Sequence, residues 1–448
     1  MSGDKEKIMD EVKPVFHITG GKGWINDPNG LIKINDEYHV FFQYYPHATH
    51  WGPMHWGHVK SKNLTEWERL PVALYPDEND DGCFSGSAVD FCGKLYLVYT
   101  SHKDGKNGNP VREEQAIASS SDLVHFEKHG IIIGENLLPE EYSSSDFRDP
   151  KIFKRGDKFY CVAAARRKGG NGRLLLFSSA DLFTWSFVTD LFGKDGCGQM
   201  TECPCYYDEL GLLMWSDIPE ENSGNNNHRT FYTFGSLSES GFVSENFIEP
   251  IDYGFDFYAP QVFYNQPVLI GWMYSFDCVV PYEKYGYCGM LTVPRLIEKR
   301  NGRLWQTPIV NGTENRDFSG EIFSGELKAG VLHFEIENMK GFFAKLKVSS
   351  AGYASLTFEN GMAVFDRSNC SEKICGTERN KDSENGIRKM PVSLEKTSII
   401  DIAVDLFSIE IFINGRALSS VVCNGLNADK YDIKVVSDGC KLTVKRLK

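Results

Sequence analysis

The sequence predicts an all-β chain, a five-bladed β-propeller followed by a C-terminal β-sandwich. Three observations carry that prediction. A polar turn segment ending in an aromatic residue recurs at a fixed interval, five aromatic-rich hairpins follow one another at comparable spacing, and beyond residue 305 both patterns stop. Several short strands repeated at a long, fixed period suit blades set around an axis. A sandwich alone gives short strands without such a period.

The turn segment is Ser61-Lys-Asn63-Leu-Thr-Glu-Trp67. It returns as Ser120-Ser-Asp122-Leu-Val-His-Phe126 and as Ser179-Ala-Asp181-Leu-Phe-Thr-Trp185, so that Asn63, Asp122 and Asp181 stand 59 residues apart. Each copy ends an alternating strand and places a polar turn before an aromatic that can pack between sheets. The hairpins lie at 31–44 around Asn35-Asp36, 87–100 around Cys92-Gly93 and 151–165 around Gly156-Asp157. Looser copies lie at 204–215 around Glu209 and 260–273 around Asn265-Gln266. Tight polar turns between apolar strands are hairpin chemistry. Five such units assign residues 1–305 to the propeller. Residues 306–318 read as a polar linker. Residues 319–448, with alternating strands at 331–336, 343–348, 398–404, 409–413 and 433–437, read as an antiparallel sandwich. Helix is expected to be sparse.

Composition narrows the function. The chain has 448 residues, enough for two domains, and 41% hydrophobic content, enough for a sizeable core. Its 30 Phe, 20 Tyr and 8 Trp suit a β-rich protein with sugar-facing surfaces. A net charge of -13 argues against a nucleic-acid partner, which would need a concentrated basic face. The charged start, Met1-Ser-Gly-Asp-Lys-Glu-Lys, has no apolar leader, and no apolar run reaches membrane length. A cytoplasmic protein with no membrane partner is expected, its 12 cysteines free thiols. Cys203 and Cys205 lack the paired spacing of a structural zinc site, so no metal is expected. Self-association into a homo-oligomer stays open.

In a propeller the first strand of every blade lines the axis, so equivalent positions converge. Asp27 lies 9 residues before Asp36, Asp149 lies 8 before Asp157, and Glu202 lies 7 before Glu209. The same stations in the other two units hold Phe84-Ser85 and Phe257-Tyr258. Three acids far apart in sequence should therefore face one small cavity. Acids crowded at an axis cost stability unless they are used. Two carboxyls about 5 to 5.5 Å apart are what a retaining glycosidase needs, one to attack the anomeric carbon and one to protonate the leaving oxygen. Glu202, in the uncharged context Gln-Met-Thr-Glu202-Cys-Pro-Cys, is expected to stay protonated by desolvation and act as acid/base. Asp27, among Asn26, Asn29 and backbone donors, is expected to be the charged nucleophile. Asp149 is expected to be kept ionised by Arg148 and to hold sugar hydroxyls. Taken singly, each motif has a plainer reading: an ordinary turn, a local ion pair, an exposed loop acid. The shared station is what sets them apart.

The motifs Trp24-Ile-Asn-Asp-Pro-Asn-Gly30, Phe147-Arg-Asp-Pro150 and Glu202-Cys203-Pro204 resemble the nucleophile, stabiliser and acid/base motifs of glycoside hydrolase family 32, the invertases, sucrose-6-phosphate hydrolases, inulinases and levanases. The resemblance covers nearly the whole chain, and Ile409-Glu-Ile-Phe-Ile-Asn-Gly415 is similar to that family's C-terminal sandwich signature. It implies that Asn26, Gln43, Trp51, Phe84, Ser85, Arg148 and Asp149 line a fructosyl subsite, completed by Tyr258 and Trp272. Residues 277–284 follow the pattern only loosely. The implied reaction is hydrolysis of sucrose or short fructo-oligosaccharides through a covalent fructosyl intermediate, without metal or organic cofactor.

Three other readings stay open: a sucrose-6-phosphate hydrolase or fructan hydrolase of the same kind, an inverting five-bladed glycosidase, and a non-catalytic sugar-binding propeller. The basic loop Arg166-Arg167-Lys168 could reach a phosphate on the leaving glucose or be a solvated loop.

Overall fold

The hairpin turns decide how the first two thirds of the chain folds. In the computed structural model, which describes residues 12–106, 109–192, 197–218, 228–245, 247–274, 276, 278–310, 313–376, 386–435 and 442–447, Asn35 and Asp36 take φ of 50° and 63°, and Cys92 and Gly93 take 51° and 75°. Positive φ at both central residues matches the right-handed twist of the flanking strands, so the chain reverses without splaying them.

Five antiparallel sheets follow in chain order. Their first strands are Gly23–Ile34, Gly82–Phe91, Tyr142–Arg155, Met200–Tyr207 and Tyr258–Val262. Those five strands touch one another in a closed ring, first to second to third to fourth to fifth and back to first. Closure is reinforced where Tyr287–Cys288 adds a parallel strand to the edge of the first sheet, pairing Gly23 with Tyr287 and Trp24 with Cys288. Among the described residues helix is confined to three short 3-10 turns, and no helix is long and apolar enough to cross a membrane.

The 59-residue repeat is the turn between the third and fourth strands of the first three sheets. Leu64, Leu123 and Leu182 take φ of 66°, 64° and 71°. This left-handed conformation costs roughly 1–2 kcal/mol for a residue with a side chain. The preceding Asx residue offsets it. Asn63 Oδ1 accepts the amides of Thr65 and Glu66, Asp122 Oδ1 those of Val124 and His125, and Asp181 Oδ1 those of Phe183 and Thr184. The fourth and fifth sheets turn there on Ser238–Gly241 and on Asn301-Gly302, which explains why the repeat is visible only three times.

The rest of the chain forms two six-stranded sheets. One orders Thr313–Gly320, Leu442–Leu447, Gly330–Glu337, Thr397–Asp405, Ser408–Ile413 and Arg416–Val421. The other orders Ile322–Glu326, Lys430–Val435, Phe342–Ser349, Gly352–Glu359, Met362–Asp366 and Ile387–Pro391. Alternation buries Leu332, Phe334 and Ile336 of the first against Phe342, Ala344 and Leu346 of the second in one apolar core. The stretch 306–318, expected as linker, is mostly strand: Arg303–Pro308 pairs with Arg295–Arg300, and Thr313–Gly320 joins the first six-stranded sheet. Polar content misleads there because ladder hydrogen bonds need only backbone.

Where this part meets the five sheets, apolar contacts such as Tyr282 against Phe407 are joined by a buried cluster of charges. The fully buried Arg295 donates to Asp252 (3.0 Å) and Glu410 (2.7 Å), and His17 places one ring nitrogen on Asp405 and the other on Glu410, both at 2.9 Å. Every buried charge here has an opposite partner, the condition under which such a cluster holds. Glu410 belongs to the Ile409-Glu-Ile-Phe-Ile-Asn-Gly415 motif, so that motif acts as a fastener. Eleven cysteines are free, and Cys440 lies outside the described residues, as do residues 277 and 311.

Candidate active site

Each of the five first strands carries a β-bulge or register shift at the predicted station. The breaks fall between Ile25 and Pro28, Phe84 and Gly86, Arg148 and Lys151, Glu202 and Cys205, and Tyr258 and Gln261. Three bulges hold non-glycine residues at positive φ: Asp149 (62°), Cys203 (47°) and Ala259 (49°). A bulge re-aims a side chain that a regular ladder would send to a sheet face. Here the bulges turn the stations inward, into a cavity of about 140 Å³ lined by Asn26, Asp27, Gln43, Trp51, Phe84, Ser85, Arg148, Asp149, Glu202, Tyr258 and Phe276.

The three acids are tied together by one residue. The Cys203 amide donates to Asp149 Oδ2 at 2.8 Å, its thiol donates to Asp27 Oδ2 at 3.3 Å, and its neighbour in sequence is Glu202. Asp27 also receives Ser85 Oγ at 2.6 Å and Asn26 Nδ2 at 3.2 Å. The Trp24 indole N–H orients Asn26 by donating to its Oδ1 at 2.8 Å. Burial raises the Asp27 pKa above its ordinary value, and these donors oppose the rise. Glu202 receives Arg148 Nη1 at 3.0 Å on one oxygen and the Tyr258 hydroxyl at 2.7 Å on the other. The Asp149 amide donates to Thr100 Oγ1 at 2.9 Å, and Gln115, linked to the same Thr100 at 3.0 Å, donates to the Phe147 carbonyl at 2.9 Å. Two buried side chains of the second sheet thus fasten the strained backbone around Asp149. Gln43 is oriented by donating to the Cys83 carbonyl at 3.0 Å, and the Trp51 ring, 46% exposed, stands edge-on to Phe84 at the mouth.

Ten of the eleven predicted residues line the cavity. Trp272 does not. It is fully buried and packs edge-on beneath Trp24 and Phe276, and Phe276 takes the place at the cavity wall. Phe276 lies at the edge of the stretch where the motif pattern weakens, so no sequence signal marked it. Cys203 was visible only as a neighbour of Glu202.

Two electrostatic expectations change. The sequence neighbours of Glu202 are uncharged, but the group beside it in space is the Arg148 guanidinium. Asp149 is not held ionised by Arg148, which spends its hydrogen bonds on Glu113, Asp146 and Glu202. Burial first, then the charges of Glu202 and Asp27, raise the Asp149 pKa to about 8. The Arg148 charge still lowers the Asp149 pKa, but by less than burial and the two carboxylates raise it. Among the described residues no cluster of His, Cys, Asp and Glu has the makings of a metal site.

Comparison with known proteins gives the family. The sequence profile of the glycosyl hydrolases family 32 N-terminal domain matches residues 17–308. A sucrose-6-phosphate hydrolase of Escherichia coli is 35% identical over 437 residues, covering 91% of this chain and 88% of its own, and one of Zymomonas mobilis is 35% identical over 91% and 85%. Among solved structures, a family 32 β-fructofuranosidase of Bombyx mori is 28% identical with a TM-score of 0.81, covering 100% of this chain and 98% of its own. A sucrose-6-phosphate hydrolase of Lactobacillus gasseri, at 24% identity, shares the fold with a TM-score of 0.88 over 100% and 96%. With an all-β fold like theirs and a profile match spanning most of the chain, this protein belongs to glycoside hydrolase family 32.

Proposed function

We propose that the chain is a retaining β-fructofuranosidase, with its active site on the axis of a five-bladed propeller that ends at Pro308 and a C-terminal β-sandwich, beginning at Thr313, fastened to it. The closed ring of five first strands supports the blade count. The observation that carries the functional reading is the meeting of Asp27, Asp149 and Glu202 in one cavity, bridged by Cys203.

Asp27, held by Ser85 and Asn26, attacks the anomeric carbon of the fructosyl unit. Glu202 protonates the departing oxygen, and the sugar is left as an ester of Asp27. Glu202 then takes a proton from water as it opens the ester, which restores both carboxyls. Asp149 accepts hydrogen bonds from the ring hydroxyls, which strengthen as the ring gains oxocarbenium character. Asn26, Gln43, Trp51, Phe84, Ser85, Arg148 and Tyr258 surround the same unit.

For substrate, sucrose is the first choice and its 6-phosphate the second, the latter because two relatives 35% identical over 91% of this chain are named for it. The basic loop lends the phosphate little support. Arg166 is 3.7 Å from Asp146, Arg167 is 3.9 Å from Glu141, and Lys168 donates to the Glu140 carbonyl at 2.8 Å, so a phosphate would have to displace these partners. Short fructo-oligosaccharides follow, and inulin and levan rank last. The eleven cysteines of the described residues form no disulfide, which fits a reducing cytoplasm.

The test is hydrolysis of sucrose, sucrose 6-phosphate, kestose, inulin and levan, with NMR of the first-formed fructose anomer. Retention, and loss of turnover in Asp27→Asn by about 10³-fold or more with sugar binding preserved, is expected. Inversion would reject the double displacement. Undiminished cleavage by Asp27→Asn would reject the site.

A further inference from the structure

Arg148 is held by more than its contact with Glu202. Its Nε donates to Glu113 Oε2 at 2.8 Å, and its Nη2 to Asp146 at 3.3 Å. Glu113 is only 3% exposed and is not among the cavity-lining residues. A carboxylate buried to that degree is expensive unless its charge is used. Its other oxygen faces His102 Nδ1 at 3.2 Å, and His102 Nε2 faces Asp104 at 3.2 Å. The pairing of Lys94–Lys103 with Arg112–Ser120 sets His102 directly opposite Glu113, so the ladder fixes the couple. The His102 ring lies flat on Phe84, 4.2 Å away at 11°, and Phe84 is a cavity wall. A line of linked groups thus runs from the half-exposed Asp104 through His102, Glu113 and Arg148 to Glu202.

We propose that Glu113, backed by His102, is a positioning residue for the reaction: it fixes the Arg148 guanidinium against Glu202 and tempers the positive charge that the Glu202 carboxyl feels. The proposal rests on the reading of Glu202 as proton donor. Beside a bare guanidinium a carboxylate gives up its proton readily, which defeats a general acid. A second carboxylate on the far side of Arg148 shares that positive charge and moderates the pull.

The charged surroundings are few. Glu202 is faced by Arg148 from the third sheet, by Tyr258 from the fifth, by Asp27 and Asp149 in the cavity, and by Asp217 from its paired strand. Arg148 additionally meets Asp146, which Arg166 faces at 3.7 Å, and beyond Glu113 the line runs through His102 and Asp104 to Lys106, 2.7 Å from Asp104.

The experiment measures kcat/KM and kcat against pH for the wild type, Glu113→Gln, His102→Gln and Glu202→Gln. Two substrates are compared: sucrose, and an aryl β-fructofuranoside whose leaving group needs no proton. Glu113→Gln is expected to move the alkaline limb on sucrose toward acid by about one pH unit. Its kcat at neutral pH should fall by about 10-fold with KM nearly unchanged, and the aryl substrate should barely register the change. His102→Gln, which removes the support behind Glu113 and lets its carboxylate drift from Arg148, should move the limb the same way by less. It carries the test if Glu113→Gln melts early. A uniform loss at all pH values, or equal losses on both substrates, would overturn the proposal. Glu202→Gln separates the two failures: if it too loses both substrates alike, the reading of Glu202 falls and takes the proposal with it. If it spares the aryl substrate while Glu113→Gln leaves the limb in place, only the role of Glu113 falls.

Discussion

Replacing Asp149 by Asn should make the protein more stable and nearly inactive, and the gain in stability should depend on pH. Asp149 is 4% exposed and its pKa stands at about 8 instead of the ordinary 3.8, because burial and the carboxylates of Glu202 and Asp27 disfavour its charge. An acid with a raised folded pKa costs nothing below about pH 4, where it is protonated in both states. The cost grows as pH rises and is complete above about pH 8. Each tenfold in proton affinity is about 1.4 kcal/mol, which sets a ceiling near about 6 kcal/mol on that cost. Asn keeps an acceptor for the Cys203 amide but adds an N–H pair without a designated partner, a loss of about 1–3 kcal/mol. The net gain expected above pH 8 is at most about 3–5 kcal/mol, shrinking through neutral pH and reversing near pH 4. Urea denaturation of both proteins at pH 4, 6 and 8.5, alongside sucrose turnover, measures it. A variant less stable than wild type at pH 8.5, or a difference that ignores pH, would refute the account of crowded charge.

Other consequences follow from buried groups elsewhere. Burial alone would lower the His17 pKa, but Asp405 and Glu410 raise it from 6.5 to about 9, so its contribution is full below about pH 6.5 and is lost as pH rises through 9. His17→Gln should therefore cost about 3–5 kcal/mol at pH 6 and much less at pH 10, read by denaturant midpoints. His39 and His58 share a 3.0 Å contact, and burial lowers both pKa values. Their stabilisation is present above about pH 6.5 and drains away below it, so a His39→Leu, His58→Phe double variant should flatten the acid limb of stability between pH 6.5 and 4.5. Trp51→Ala removes the exposed ring at the cavity mouth and should lower kcat/KM on sucrose by about 10-fold with melting temperature unchanged; an unaltered kcat/KM would remove Trp51 from the site.

What could be read from the sequence was what local chemistry dictates. All five hairpins form where their turn residues stand, and the three acids meet because counting back from those turns lands on the bulged stations. What escaped depended on side-chain direction and on neighbours in space. Trp272 was expected at the wall because the family resemblance implies it, yet its strand aims it under Trp24. Arg148 looked like the partner of Asp149 because it precedes it, yet it reaches Glu202, Glu113 and Asp146. Glu113 and His102 sit in ordinary strand sequence, and only the ladder brings them behind the cavity. The stretch at 306–318 looked like a linker because its residues are polar, and polarity does not forbid a strand.

The bulges also make a quantitative claim about where strain is kept. Ala259 is fully buried at φ 49°, with its amide given to Ser216 Oγ at 3.0 Å. In that conformation an L side chain costs roughly 1–2 kcal/mol, which glycine escapes. Removing the methyl forfeits about 0.8 kcal/mol of burial and adds backbone entropy to the unfolded chain, about 0.5–1 kcal/mol. The terms nearly cancel, so Ala259→Gly should leave stability within about 0.5 kcal/mol of wild type. Ala163, equally buried in Lys158–Arg167 opposite the bulge at Asp149, is not at positive φ and has no strain to relieve. Ala163→Gly should lose about 1.5 kcal/mol or more. Equal losses at the two positions in denaturant titrations would mean that the station is not strained. The bulge at Tyr258, and with it the aim of the hydroxyl that meets Glu202, would then need another cause.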